Sequence, residues 1–247
     1  MKARIKFRKY GAMRFIGHLD VMRFFQKLMR RADIPIAFTG GYSPHMIMSF
    51  ASPLGIGLTS DGEYMDIELT APVCSAEAVK RMNDECVEGI EIISLRQISD
   101  EKKQSGMTIL AAADYLVSLK KGTLPSDWKE SFRRFITQSE IRVVKQTKRS
   151  EKEVDIRPLI YDWEFKDSGI FLKLAAGSSE NLKPDLVMDT YLSCIFMEDE
   201  DGVCLPGIRQ SVQDEPVFAY HRLEMYADIG EGTASRLVSL ESLGQEI

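Results

Sequence analysis

Two histidines stand where an imidazole can meet a phosphate. His18 follows Gly17 at the expected start of a helix, and His45 closes the turn Gly40-Gly41-Tyr42-Ser43-Pro44-His45. An imidazole titrates near neutrality, so it serves as general acid, general base or phosphate ligand. Backbone N–H groups left unpaired at a helix start, together with the helix dipole, favour an anion there. Arg14, Arg23 and Lys27 flank His18, and Tyr42 and Ser43 precede His45. Such a corner suits phosphate binding, or RNA cleavage with His18 and His45 as acid and base. The local alternative is that His18 caps its helix and His45 hydrogen-bonds within its turn.

A second cationic group lies in Lys145-Gln146-Thr147-Lys148-Arg149, at the tip of an expected hairpin. Lys145, Lys148 and Arg149 there suit the grip of a nucleic-acid backbone, whose contacts are electrostatic and independent of sequence. They equally suit a solvated hairpin whose charges keep an edge strand from pairing with other chains. A third group, Arg4, Lys6 and Arg8, alternates along the first strand. It is either part of a basic surface or paired across the sheet with Asp66 and Glu68.

The net charge of −5 conceals strong segregation. Residues 1–50 hold ten Lys/Arg against two Asp/Glu, whereas residues 51–100 hold three against ten and residues 180–247 four against fourteen. This distribution implies either a basic and an acidic surface or mutual neutralisation inside one sheet.

Several chemistries are not encoded. Cys74, Cys86, Cys194 and Cys204 are too widely spaced for a zinc or iron–sulfur site, so isolated thiols, no metal and no cofactor are expected. There is no phosphate-binding Walker loop, dinucleotide fingerprint, nucleophile elbow or His-Glu-x-x-His motif. The longest apolar runs fall short of a bilayer span, and residues 1–10 lack the apolar centre of a signal peptide, so a cytoplasmic protein without membrane contact is expected.

Residues 3–10 alternate as a strand. The stretch 18–32 reads as a helix with Leu19, Met22, Phe25, Leu28 and Met29 on its apolar face. Residues 63–69 form a strand, Ser75 an N-cap before a helix over 76–86 that closes near Gly89, and residues 90–96 a last strand. With strands flanking the turn at 40–45, this is the split βαβ order of a ferredoxin-like unit, and the sheet face away from the helices should be open. A polar connector at 98–107 separates a second, looser α+β segment. It has strands at 112–119, 141–148, 154–163 and 169–175 and helices at 128–137 and 184–192. The expected architecture is therefore α+β, two ferredoxin-like domains in tandem over 1–98 and 107–226, with a mobile tail at 227–247.

Arg4-Ile5-Lys6-Phe7, Arg14-Phe15-Ile16-Gly17-His18-Leu19-Asp20-Val21-Met22-Arg23 and Gly41-Tyr42-Ser43-Pro44-His45 resemble a radical SAM-linked bacterial family, DUF2344. Glu63–Leu69 and Glu153–Ile160 extend the resemblance into both halves. Gly17 replaces a frequent Ser of that family. The resemblance implies a domain found alone or fused behind a radical SAM enzyme, with an RNA-related substrate. The cluster-binding cysteine triad of such an enzyme is missing, so the chain would be the detached accessory part. The favoured expectation is a non-catalytic module presenting RNA or a ribonucleoprotein to a radical SAM partner. The alternatives are a metal-independent ribonuclease and a protein-binding adaptor.

Overall fold

The computed structural model describes residues 1–146, 151–196, 216–230 and 234–247. In chain order the elements are β1 (Lys2–Lys9), α1 (His18–Arg31), β2 (Met48–Phe50), β3 (Thr59–Glu68), α2 (Ser75–Asp84), β4 (Ile90–Ile98), α3 (Gly106–Ile109), β5 (Leu110–Lys121), α4 (Trp128–Ile136), β6 (Arg142–Gln146), β7 (Glu151–Asp155), β8 (Ile160–Lys166), β9 (Gly169–Ala175), α5 (Pro184–Phe196), β10 (Val217–Asp228) and β11 (Leu237–Ser239). The chain is α+β, with few helices and mostly antiparallel strands. Among the described residues no helix is long and apolar enough to cross a membrane. It divides into two compact units: residues 1–114, 176–179 and 221–247 form the first, and residues 115–175 and 180–220 the second.

In the first unit β1 lies between β3 and β4, antiparallel to both. The far edge of β3 is shared: β2 pairs antiparallel with Met65–Ile67, and β10 runs parallel to Thr59–Ser60. α1 turns Val21, Phe25, Leu28 and Met29 onto this sheet. The rings of Phe7 and Phe25 meet edge to face at 4.7 Å, and Phe50 closes the group at 5.8 Å from Phe25. Full burial of a side chain such as Phe7 or Phe25 is worth roughly 1.5–3 kcal/mol. The buried stripe starts at Val21, not at Leu19 as the sequence reading has it. Two residues further along a helix is about 200° of rotation, so Leu19 falls on the solvent side and is 60% exposed.

Both faces of β3 are covered. Met65 and Ile67 meet the helices, as expected, yet Tyr64 and Asp66 on the opposite face are buried as well. The cover comes from the segment expected to be a tail. β11 pairs with β10 through Tyr226–Asp228, and Leu240 is fully buried. Ser75, read as a helix cap, makes no cap bond; its hydroxyl accepts from the Ile247 N–H and its own N–H donates to the Ile247 carbonyl.

Gly89 ends the α2–β4 connection with φ of +98°, and an added Cβ would stand 2.7 Å from the Tyr10 carbonyl oxygen. That oxygen belongs to the turn after β1, whose Tyr10 N–H donates to Gly89 O. Gly89→Ala is therefore expected to destabilise the first unit by about 1–3 kcal/mol, read as a lowered urea midpoint at unchanged slope.

The second unit departs from a simple repeat of the first. β8 and β9 form an antiparallel hairpin, and β6 and β7 form a separate two-stranded ladder. The single strand expected over 154–163 breaks at a 3-10 turn, Arg157–Leu159. Pro158 has no N–H to give a ladder, and Asp155 Oδ1 draws in the N–H groups of Ile141 and Arg157. Phe132, Phe135, Tyr191 and Leu192 fill the core between α4 and α5. The Tyr191 hydroxyl donates to the Trp128 carbonyl. Cys74 and Cys86 are free, and burial pushes the Cys86 thiol up to about 11. Cys194 is disulfide-bonded, which corrects the expectation of isolated thiols there; wide sequence spacing does not keep two thiols apart in a fold.

Candidate functional site

The cations of β1 are consumed within the first unit. Arg4 forms a two-pronged pair with Asp66, its register partner on β3, at 2.7 and 3.0 Å. Lys6 reaches Glu224 at 2.8 Å and Glu241 at 3.0 Å, and Arg8 reaches Asp61 at 2.7 Å and Glu91 at 3.1 Å. Burial works to lower the Lys6 ammonium, but Glu224 and Glu241 outweigh it and hold its pKa up. The Tyr64 hydroxyl donates to Glu224, and burial with that carboxylate pushes the phenol far up. The acidic segments thus neutralise the basic strand inside one sheet.

Asp61 and Glu241 carry a pH consequence. Burial would raise both carboxyls, yet the Arg8 and His221 hydrogen bonds to Asp61, and those from Ser94 and Lys6 to Glu241, leave both below their ordinary values of 3.8 and 4.5. A depressed folded-state pKa gives stability that is present above the unfolded value and lost as pH falls through the folded one. The first unit should therefore lose stability below about pH 4. Asp61→Asn with Glu241→Gln should flatten that acid limb in pH-dependent urea unfolding.

At the start of α1, Gly17 takes the cap position with extended backbone and no side chain to satisfy the first-turn N–H groups. The His18 ring stands edge-on to Phe50 at 5.0 Å. Beneath it, Lys9, Glu63, Phe7 and Leu54 help to line a cavity of about 10 Å³. That is room for one water and not for a phosphate group. Lys9 is 2% exposed and its Nζ donates to the Ile16 carbonyl at 3.1 Å; burial pulls its pKa down against the pull of Glu63. Glu63 receives Arg222 Nη1 at 3.0 and 3.1 Å, while burial drives its own pKa up.

The residues around the cavity beneath His18 are thus from β1, β2, the β2–β3 connection and β3. His45 has other neighbours: its Nδ1 and its backbone N–H both engage Thr39 Oγ1, at 3.0 and 3.1 Å, in an exposed hairpin. Among the described residues the two histidines share no hydrogen-bond partner. Tyr42 is fully open to solvent and Ser43 is exposed. Arg14 stacks on the exposed Phe15 ring at 4.7 Å.

The accessible cations are on α1. Leu19, Arg23, Lys27 and Arg30 follow one another at helical spacing and are all exposed. Arg23 pairs with Asp20 at 3.1 Å, an exposed contact of small worth. Lys27 and Arg30 have no ion pair among the described residues. The backbone of Lys145 lies on β6, in the expected hairpin, whereas Lys148 and Arg149 lie outside the described residues.

Sequence reading did not single out His221, whose Nδ1 meets Thr59 Oγ1 at 2.8 Å and whose Nε2 meets Asp61 at 3.1 Å. Thr59 and His221 are register partners in a parallel ladder, so their contact is cross-strand pairing. It links residues 162 positions apart, and no local pattern marks it.

Residues 2–184 match one family of known proteins, described as an uncharacterized protein conserved in bacteria (DUF2344). None of the curated proteins compared with the chain matches it.

Proposed function

We propose, given that this chain belongs to the bacterial family DUF2344, that it is a cytoplasmic, non-catalytic accessory module that binds RNA and presents it, free or in a ribonucleoprotein, to a radical SAM partner. The observation that carries the RNA half is the division of the cations. Arg4, Lys6 and Arg8 of β1 are spent on carboxylates, whereas on the solvent face of α1 Lys27 and Arg30 have no ion pair among the described residues and Arg23 has only the exposed pair with Asp20. At the same end of α1, Phe15 and Leu19 are each 60% exposed, and Tyr42 on the following turn is open to solvent. Exposed rings beside unpaired cations suit single-stranded RNA, whose bases stack on aromatic side chains while the backbone meets Arg and Lys. The partner half rests on the resemblance of the Arg14–Arg23 and Gly41–His45 motifs to proteins linked to radical SAM enzymes.

Binding is favoured over cleavage because His18 lies over a water-sized cavity and His45 is engaged by Thr39. Filter binding with total RNA tests the reading. Retention should fall as salt rises and should drop in Arg23→Ala, with the RNA recovered at full length. RNA that passes through at low salt removes the proposal, and fragments that vanish in His18→Ala favour the ribonuclease. Co-purification with a radical SAM protein tests the partner.

A further inference from the structure

The second unit contains an opening of about 510 Å³ between the end of β5, the first turn of α4 and the β8–β9 turn. Its size is that of a small-molecule site. Leu124, Trp128 and Phe218 supply apolar wall, and Ser118, Ser168, Lys129, Lys166 and Asp167 supply polar groups. Trp128 is half-buried at the rim of the aromatic core, edge-on to Phe165 at 5.5 Å.

Lys129 decides the ligand's charge. Its Nζ lies 5.7 Å from the ring centroids of both Trp128 and Phe165 and has no carboxylate partner among the described residues. Aromatic rings hold an ammonium by their quadrupole without cancelling its charge or using up its N–H donors. Lys166 on the other side pairs with Glu164, so Lys129 is the cation with donors to spare. The Ser118 and Ser168 hydroxyls likewise have no hydrogen-bond partner among the described residues.

We infer that this opening binds a nucleoside monophosphate, with the base against Trp128 and the phosphate on Lys129. A flat ring matches the indole, the anion matches the uncompensated ammonium, and the serine hydroxyls match the polar edge of a sugar or base. A fatty acid would offer its carboxylate to Lys129, but its alkyl chain would leave the serine hydroxyls without partners, at the cost of their hydration. The inference stands on the second unit alone and does not require the RNA contact on α1.

The test is isothermal titration of the full chain with AMP, adenosine and inorganic phosphate separately. Saturable AMP binding is expected, at least about tenfold tighter than adenosine or phosphate, because each lacks one of the two recognised groups. Lys129→Ala should weaken AMP about tenfold or more; alanine is the better helix former, so α4 should persist. In a Trp163→Phe chain Trp128 is the only indole, and AMP should quench its fluorescence with the same midpoint. Arg23→Ala should leave AMP binding unchanged whether or not it affects RNA. Absence of saturable AMP binding, equal binding of adenosine or phosphate, or loss of AMP binding in Arg23→Ala would each overturn the inference.

Discussion

Asp66→Ala is expected to destabilise the first unit by about 3–5 kcal/mol, the cost of leaving a buried charge without its partner. The Asp66 carboxylate takes both prongs of Arg4 and also the Gly106 N–H at 2.7 Å. Arg4 is 2% exposed, so once Asp66 is gone its guanidinium keeps only the carbonyls of Leu240 and Gln104, each at 3.1 Å. Replacing the pair together, as Arg4→Met with Asp66→Leu, should recover most of the loss, because apolar substitutes remove the desolvation cost along with the attraction. Arg23→Ala, by contrast, breaks an exposed pair and should shift stability by no more than about 0.5 kcal/mol. Both tryptophans, Trp128 and Trp163, belong to the second unit. Indole fluorescence is therefore blind to this change, and far-UV dichroism with hydrogen exchange is the appropriate readout. An Asp66→Ala chain unfolding at the wild-type urea midpoint would show that the pair contributes nothing.

Arg23→Glu, Lys27→Glu and Arg30→Glu introduced together should weaken RNA binding by roughly a hundredfold or more at low salt. Three phosphate contacts would be lost and three repulsions introduced. The dependence of log affinity on log salt should fall by about 2, since each contact to a single strand contributes about 0.7. Stability should hardly change, because these side chains are exposed on a helix whose buried stripe is untouched. The same reversal at Arg4 or Lys6 would unfold the sheet before it could report on RNA. A triple variant that binds RNA with the unaltered affinity and salt slope would move any contact away from α1.

How much was legible differs between elements. β1, α1, β3, α2 and β4 could be placed from period-two alternation, the 3.6-residue stripe and Gly89, because those signals are local and their periods differ between strand and helix. Leu19 falls outside the buried stripe because residues 18–32 hold more apolar side chains than one face can bury, and only docking on β1 and β3 selects Val21 as the start. The covered far face of the sheet was not legible. Its cover, residues 237–243, carries only a three-residue strand and one 3-10 turn, too short to reveal a period although Leu237, Val238, Leu240 and Leu243 are apolar. The break at Pro158 was visible as a proline but not as the end of a strand, since Asp155 makes the turn through contacts across the hairpin.

The candidate sites divide the same way. The motif around His18 announced a helix start, and the alternation of Arg4, Lys6 and Arg8 announced charge on one face of a strand. Which cations would be neutralised was out of reach, because Lys6 meets Glu224 across 218 residues and Arg222 meets Glu63 across 159. The opening beside Trp128 joins the β5–α4 segment to the β8–β9 turn and β10, which lie far from it along the chain.

By itself, the amino-acid sequence determined that this is an α+β chain of the DUF2344 type, with a helix entering at His18 and a basic first strand. Only the tertiary structure decided that Arg4, Lys6 and Arg8 of this strand are neutralised by carboxylates while Lys27 and Arg30 of α1 have no ion pair among the described residues. The reason is that secondary structure follows from neighbours along the chain, whereas the fate of a charge depends on which distant carboxylate folding brings within about 3 Å of it.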